Sequence, residues 1–210
     1  MSTDWAAWHK SYEDPSSHLA ARLRVVQGSI LELLESRSER HCRVISLCAG
    51  KGLDLLGVLA SHPAKHFVSA RLVELDPGLA AAALETVRAA DLRDVDVVVA
   101  DAGLTDSYVG AVPADLVIAC GVFGNVSDDD VETTVHAMPS LCSQGATVIW
   151  TRHRSAPDLT QAIRQWFAEA GFSEQSFTSP GPGSFAVGVH RLDGPADAFA
   201  AGRRLFTFLL

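Results

Sequence analysis

Short β-branched runs alternate with helix-length stretches along most of this 210-residue chain, and that alternation leaves few folds open. A parallel strand pair needs a long crossover, so repeated strand–helix–strand units point to a parallel sheet with helices on its faces. The periodicity predicts a helix over 16–36, capped by Ser16 or Ser17, with Leu19, Leu23, Val26, Ile30 and Leu33 at helical spacing. Strands are predicted at Arg43–Leu47, within Phe67–Leu75, at Val95–Ala100, Asp115–Cys120 and Ala146–Thr151. Helices are predicted between them: Leu53–Ala60, stopped by Pro63; Pro77 to about Ala90; one capped by Ser127; and one capped by Asp158 and stopped by Gly171. The apolar run at Val97–Val99 predicts a strand buried on both faces. Beyond Gly171 the pattern changes. Phe172–Phe177, Phe185–His190 and Leu205–Phe208 are strand-like, and no helix-length segment separates the first two, so they are expected to pair as an antiparallel hairpin. The expectation is a Rossmann-like, doubly wound α/β fold with a mostly parallel sheet and an antiparallel C-terminal β-hairpin. Residues 1–38 are expected as a helical cover and 39–210 as the α/β domain proper.

Hydrophobic residues make up 48% of the chain, enough for a sizeable core. The net charge is −8 with 17 basic residues, so the clustered cations that grip phosphate backbones are missing and no nucleic-acid partner is expected. The four cysteines, Cys42, Cys48, Cys120 and Cys142, form no C-x-x-C pair. They read as free thiols in a reducing compartment, with no metal site expected. The first residues lack a signal-peptide pattern, and no apolar run approaches the ~20 residues that span a bilayer. A cytoplasmic protein with no membrane partner is expected; its oligomeric state is not legible.

Three features at successive strand ends carry chemistry. The first is Val44–Asp54, VISLCAGKGLD: an apolar strand, a tight turn with Gly50 and Gly52, and a helix start. Glycines there permit close ligand approach, and a helix N-terminus offers free N–H groups. The second is Glu74, which ends the second strand. It stands at the ~20-residue distance where dinucleotide folds place an acid on ribose hydroxyls. Asp76 is a rival for that role, although preceding Pro77 it reads better as a helix cap. The third is Asp101, after the third strand, which can accept from an adenine amino group or merely cap the following turn. Ligands of open α/β sheets bind at this edge. The Asp128–Asp130 run lies in a helix first turn, where the dipole favours carboxylates, and reads as structural.

On these residues the chain resembles the class I S-adenosylmethionine-dependent methyltransferases, and is similar in particular to small actinobacterial-type members. The resemblance covers roughly residues 40–190. It implies a seven-stranded sheet whose last strand is antiparallel. It implies that Cys48, Ala49, Gly50 and Gly52 contact the methionine portion of the cofactor. Glu74, with Leu75 beside it, would hold the ribose, and Asp101 with Ala102 would meet the adenine. Cys120, Gly121, Val122 and Phe123 would line the methyl end. S-adenosylmethionine would be consumed to S-adenosylhomocysteine. Two positions depart from the family's pattern: Ser46 stands where an acid is usual and Cys48 where the first glycine is usual. The N/D-P-P-aromatic sequence of nucleobase amino-methylating members is replaced by Cys120–Phe123, which favours a small-molecule acceptor.

Candidates for the acceptor side follow from position. The fifth strand ends in Arg152, His153 and Arg154. The histidine suits a general base and the arginines an acidic substrate, or all three are solvated strand-end residues. Trp5, Trp8, His9 and Tyr12 share one helical face. Trp8 is a candidate for substrate contact, and His9 and Tyr12 are secondary catalytic candidates, unless the stripe simply anchors the N-terminus. Asn125 either touches substrate or steadies its turn. Two other functions compete. A cofactor-binding module without catalysis would share all the cofactor residues. A nicotinamide-dependent oxidoreductase would share the turn and the ribose acid, but Leu55 stands where its third glycine belongs.

Overall fold

The structure, a computed structural model, describes residues 14, 16–37, 40–181 and 183–209. The expected alternation forms in order: α1 His18–Arg37, β1 Cys42–Leu47, α2 Leu55–Leu59, β2 Val68–Glu74, α3 Pro77–Ala89, β3 Val95–Val99, β4 Ala114–Ala119, α4 Asp128–Ala137, β5 Cys142–His153, α5 Thr160–Glu169, β6 Phe172–Thr178 and β7 Phe185–Leu192. Capping chemistry sets several of the starts. Ser17 Oγ accepts from Ala20 N–H, and Ser127 Oγ from Asp130 N–H. Asp76 Oδ1 accepts from Gly78 N–H at 2.7 Å and Leu79 N–H at 2.9 Å, so this acid caps the helix. Asp158 Oδ1 accepts from Thr160 N–H at the start of α5.

The strands make one seven-stranded sheet in the order β3-β2-β1-β4-β5-β7-β6. The first five are parallel, and β7 runs antiparallel to both β5 and β6. This is the Rossmann-like sheet with its C-terminal hairpin. Side chains alternate between faces at period 2. Ile45, Val73, Val117 and Val148 join one core with Val131 and Val135 of α4 and Ile163 and Phe167 of α5. Their neighbours Val44, Leu72, Leu116 and Ile149 join a second core with Val26, Ile30 and Leu34 of α1 and Ala83 and Val87 of α3. Two apolar faces need helices on both sides, which gives three layers.

Two expectations change. The strand containing Val97–Val99 is not buried on both faces: it is the sheet's edge, and Val99 is 55% exposed. An unbroken apolar run does not by itself distinguish a central strand from an edge strand. Leu205–Phe208 is extended but forms no strand. It crosses the loops at the carboxyl ends of β3 and β4, so it makes only the isolated bridges Leu104↔Arg204 and Val126↔Phe208.

The β5–β7 pairing buries an aromatic and polar cluster. Trp150 pairs with Gly188, where a Cβ would collide with the indole. The ring stacks on Phe167 with centroids 6.2 Å apart, and its Nε1–H donates to His190 Nδ1 at 3.2 Å. That bond fixes the neutral tautomer with the proton on Nε2, which faces Glu174 at 3.6 Å. Burial pushes His190 down to about 4, against the opposing pull of Glu174. Its folded pKa lies below the unfolded value, so the unfolded state takes up the proton first. The neutral ring's contribution is complete above about pH 6.5 and is lost as the pH falls toward 4. Denaturant unfolding at pH 7.0 and 4.5 should show a loss of roughly 2–3 kcal/mol that His190→Gln lacks over the same window. Equal pH slopes in the two proteins would contradict this.

Candidate functional site

The strand order reverses at β1: the chain steps outward to β2 and β3, then returns to β4 on the other side. Loops leaving β1 and β4 diverge there, at the edge where ligands of open α/β sheets bind. The site is built on the turn after β1. Cys48, Gly50 and Gly52 all have positive φ, at 52°, 57° and 69°. The alternation coils residues 48–52 tightly; Gly52 N–H donates to Ala49 O at 2.8 Å, and Ala49 N–H to Val73 O at 2.9 Å. At Gly52 a Cβ would stand 2.7 Å from Leu56, so the close packing of the turn on α2 requires glycine. Cys48 takes a left-handed backbone conformation despite its side chain. A left-handed non-glycine residue costs about 1–2 kcal/mol.

Glu74 ties this turn to β2. Gly50 N–H donates to its Oε2 at 2.7 Å, and Asp76 N–H to its Oε1 at 2.9 Å. The side chain is nearly buried. A carboxylate offers about four acceptor positions, so two backbone donors leave room for two vicinal hydroxyls. Leu75 is 67% exposed at the end of β2, and Val99, paired in register with Glu74, is exposed at the end of β3. Asp101 follows β3. Its Oδ1 accepts from Gly103 N–H at 2.8 Å, and its Oδ2 lies 3.0 Å from Arg204 Nη1. Ala102 is buried beneath, and Tyr108, fully buried, donates from its hydroxyl to Ala102 O at 2.7 Å. Burial, then the charges of Glu74 and Asp101, hold the Cys48 thiol well above the ordinary range, so it stays a neutral thiol.

On the other side of the reversal, Cys120 is half-buried at the end of β4, and Gly121 N–H donates to Thr151 Oγ1 at 3.0 Å. Val122 and Phe123 turn inward; Phe123 is fully buried against Trp150, so its side chain belongs to the core. Asn125 Nδ2 donates to Gly121 O at 2.7 Å and closes the loop. Arg152 is buried, donating to Phe123 O and pairing with Asp128 at 3.2 Å. Arg154 pairs with Asp158 at 2.8 Å and reaches Ser179 Oγ at 3.1 Å. His153 is exposed, and its ring lies over Gly124, where a Cβ would come within 2.9 Å of Cδ2. The fold thus brings His153 onto the loop after β4. Trp8, His9 and Tyr12, with Trp5, lie outside the described residues.

Arg22 is the site-side residue that sequence reasoning missed. It is buried on α1 and its charge acts on both Asp54 and Cys120. Burial raises the Asp54 carboxyl, opposed by the Leu55 backbone donor and by Arg22. A lone arginine among polar helix residues carries no sequence signal of burial. A separate hollow of about 800 Å³, lined by Gln27, Leu31, Gly57, Val58, His62 and Phe67 among others, contains none of the strand-end acids. No cluster of three metal-ligating side chains occurs among the described residues.

The chain matches no protein-family model and no curated protein. Its architecture is widely shared among solved structures. Magnesium protoporphyrin IX methyltransferase from Synechocystis PCC 6803, solved with bound S-adenosylmethionine, superposes with a TM-score of 0.66 at 14% identity over 90% of this chain and 91% of that one. This is the class I S-adenosylmethionine-dependent methyltransferase fold. An O-methyltransferase family protein from Burkholderia thailandensis gives a TM-score of 0.59 at 18% identity, over 88% of this chain and 59% of that one. The CurJ carbon methyltransferase gives 0.62 at 14% identity, over 82% and 54%.

In this methyltransferase fold the left-handed turn should tolerate a change at Cys48 according to backbone alone. Cys48→Gly is expected to unfold within about 1 kcal/mol of the wild type, whereas Cys48→Val, β-branched at positive φ, should lose about 1–3 kcal/mol. Thermal or denaturant unfolding checks both. A destabilised glycine variant beside a stable valine variant would show that side-chain packing, not the backbone, governs the position.

Proposed function

We propose that this protein is an S-adenosylmethionine-dependent methyltransferase acting on a small-molecule acceptor. The observation that carries the reading is the ordered set of strand-end groups around the switch point. They are the turn at 48–52, Glu74 braced against it, and Asp101 on the next strand. In this reading the turn holds the methionine portion, Glu74 accepts from the ribose hydroxyls, and Asp101 accepts from the adenine amino group. Leu75 and Val99 flank the base, and Cys120 with Gly121 borders the methyl end. When bound, S-adenosylmethionine would supply an electrophilic methyl carbon, leaving S-adenosylhomocysteine.

The chain's own task at the acceptor is placement. Holding a nucleophile in line with the methyl carbon supplies much of the rate of such a displacement. His153, at the end of β5 with its ring over Gly124 of the loop after β4, is the residue assigned to accept a proton from a hydroxyl or ammonium acceptor. The acidic composition and the Cys120–Phe123 segment favour a small molecule over nucleic acid. One observation favours a second reading, a cofactor-binding module without catalysis: Arg152, Arg154 and Asn125 each already hold partners within the chain.

Calorimetry with S-adenosylmethionine tests the cofactor assignment. Glu74→Gln is expected to weaken binding about 10-fold or more, since a hydrogen bond to a charged group contributes about 1.5–3 kcal/mol. Asp76→Ala is expected to lose about 1 kcal/mol of stability with affinity retained. The reverse pattern would show that the wrong acid was assigned. An acceptor screen that yields S-adenosylhomocysteine supports catalysis; tight cofactor binding with no product from any acceptor supports the module.

A further inference from the structure

The carboxyl-terminal segment 202–209 reaches the site at both ends. It first lies along the loop after β3. Gly202 N–H donates to Asp106 Oδ2 at 2.8 Å, Thr105 N–H to Arg203 O at 3.0 Å, and Leu205 N–H to Gly103 O at 2.7 Å. Gly103 admits this strap because it has no side chain: a Cβ there would collide with the Phe206 carbonyl. The strap then crosses to α4 and the loop after β4. Thr134 Oγ1 donates to Leu205 O at 2.9 Å, Thr207 N–H to Asp130 Oδ2 at 3.0 Å, and Leu209 N–H to Asn125 O at 2.8 Å. Leu205 and Phe206 are buried, so the strap is anchored by core packing as well as by backbone bonds.

At the crossing stands Arg204. Its Nη1 is 3.0 Å from Asp101 Oδ2 and donates to Phe206 O at 3.3 Å. Asp101 Oδ1 is already held by Gly103 N–H. Both oxygens are therefore pinned from different parts of the chain, one locally and one from a residue about a hundred positions away. A carboxylate held this way cannot turn freely, and it presents acceptors only. The ion pair is roughly half exposed, so by itself it adds little to stability. Its consequence is orientation.

We propose that Arg204 is a positioning residue that fixes Asp101 so the site chooses a 6-amino purine over a 6-oxo purine. The inference rests on the reading of Asp101 as the adenine acid. A fixed acceptor rewards an exocyclic amino donor and meets a carbonyl oxygen with an unpaired, repulsive contact. Without Arg204 only the Gly103 bond holds the half-exposed carboxylate, Oδ2 turns to solvent, and both the attraction and the repulsion fade.

The test measures dissociation constants of S-adenosylhomocysteine and its inosine counterpart, S-inosylhomocysteine, for the full chain and for Arg204→Ala and Arg204→Lys. The wild type is expected to favour the adenosyl ligand by about 10-fold or more. Arg204→Ala is expected to weaken the adenosyl ligand about 3- to 10-fold and to collapse the preference, while Arg204→Lys keeps most of both. Unchanged constants in Arg204→Ala overturn the proposal. So does an equal weakening of both ligands, which would mean that Arg204 only docks the strap. A wild type that binds neither ligand overturns the cofactor reading itself. A wild type that binds both equally leaves that reading standing and overturns this inference alone.

Discussion

Everything at the carboxyl edge of this sheet depends on one buried carboxylate. Glu74 accepts from the backbone of Gly50 on one side and from that of Asp76 on the other. It thereby fastens the turn leaving β1 to the end of β2. Remove it and two backbone N–H groups lose a charged acceptor. The turn needs that support because three of its five residues are in left-handed conformation, and one of them, Cys48, is not glycine. Strain at 48 and the brace at 74 belong to one device: a loop held open at the point where the strand order reverses.

The rest of the molecule sets where that device sits. Two apolar faces pinned between helices fix the strands in register, and the register places Glu74, Val99 and Asp101 along neighbouring strand ends. The hairpin of β6 and β7 closes the far side, with Trp150 seated over Gly188. The carboxyl-terminal strap then joins the loops after β3 and β4, so that both loops are bonded to the same eight residues. The strap binds Asp101 through Arg204 and the loop after β4 through the Asn125 carbonyl.

Much of this was legible in the sequence. Period-2 and period-3.6 patterns marked the strands and helices, and the lack of a helix between Phe172–Phe177 and Phe185–His190 marked the hairpin. Ser127 and Asp76 read correctly as caps because a cap is a local interaction, decided within three residues. What the sequence did not reveal depends on partners far along the chain. Arg152 read as a strand-end cation, but its fold position buries it against Asp128. Arg22 looked like an ordinary helix arginine until the sheet covered it. The Val97–Val99 run read as central because hydrophobicity alone does not say which neighbour a strand lacks. Leu205–Phe208 read as a strand because extended backbone with alternating apolar residues looks the same whether it joins a ladder or crosses one. Cys48 gave no sign in the sequence that its backbone would be left-handed, a conformation set by the turn around it.

A crystal structure of the full chain with S-adenosylhomocysteine tests the central claim most directly. The account predicts ribose hydroxyls within hydrogen-bonding distance of Glu74, the adenine amino group beside Asp101, and the homocysteine portion against residues 48–52. A ligand bound elsewhere, or a ribose held by another acid with Glu74 still bonded only to Gly50 and Asp76, would contradict it.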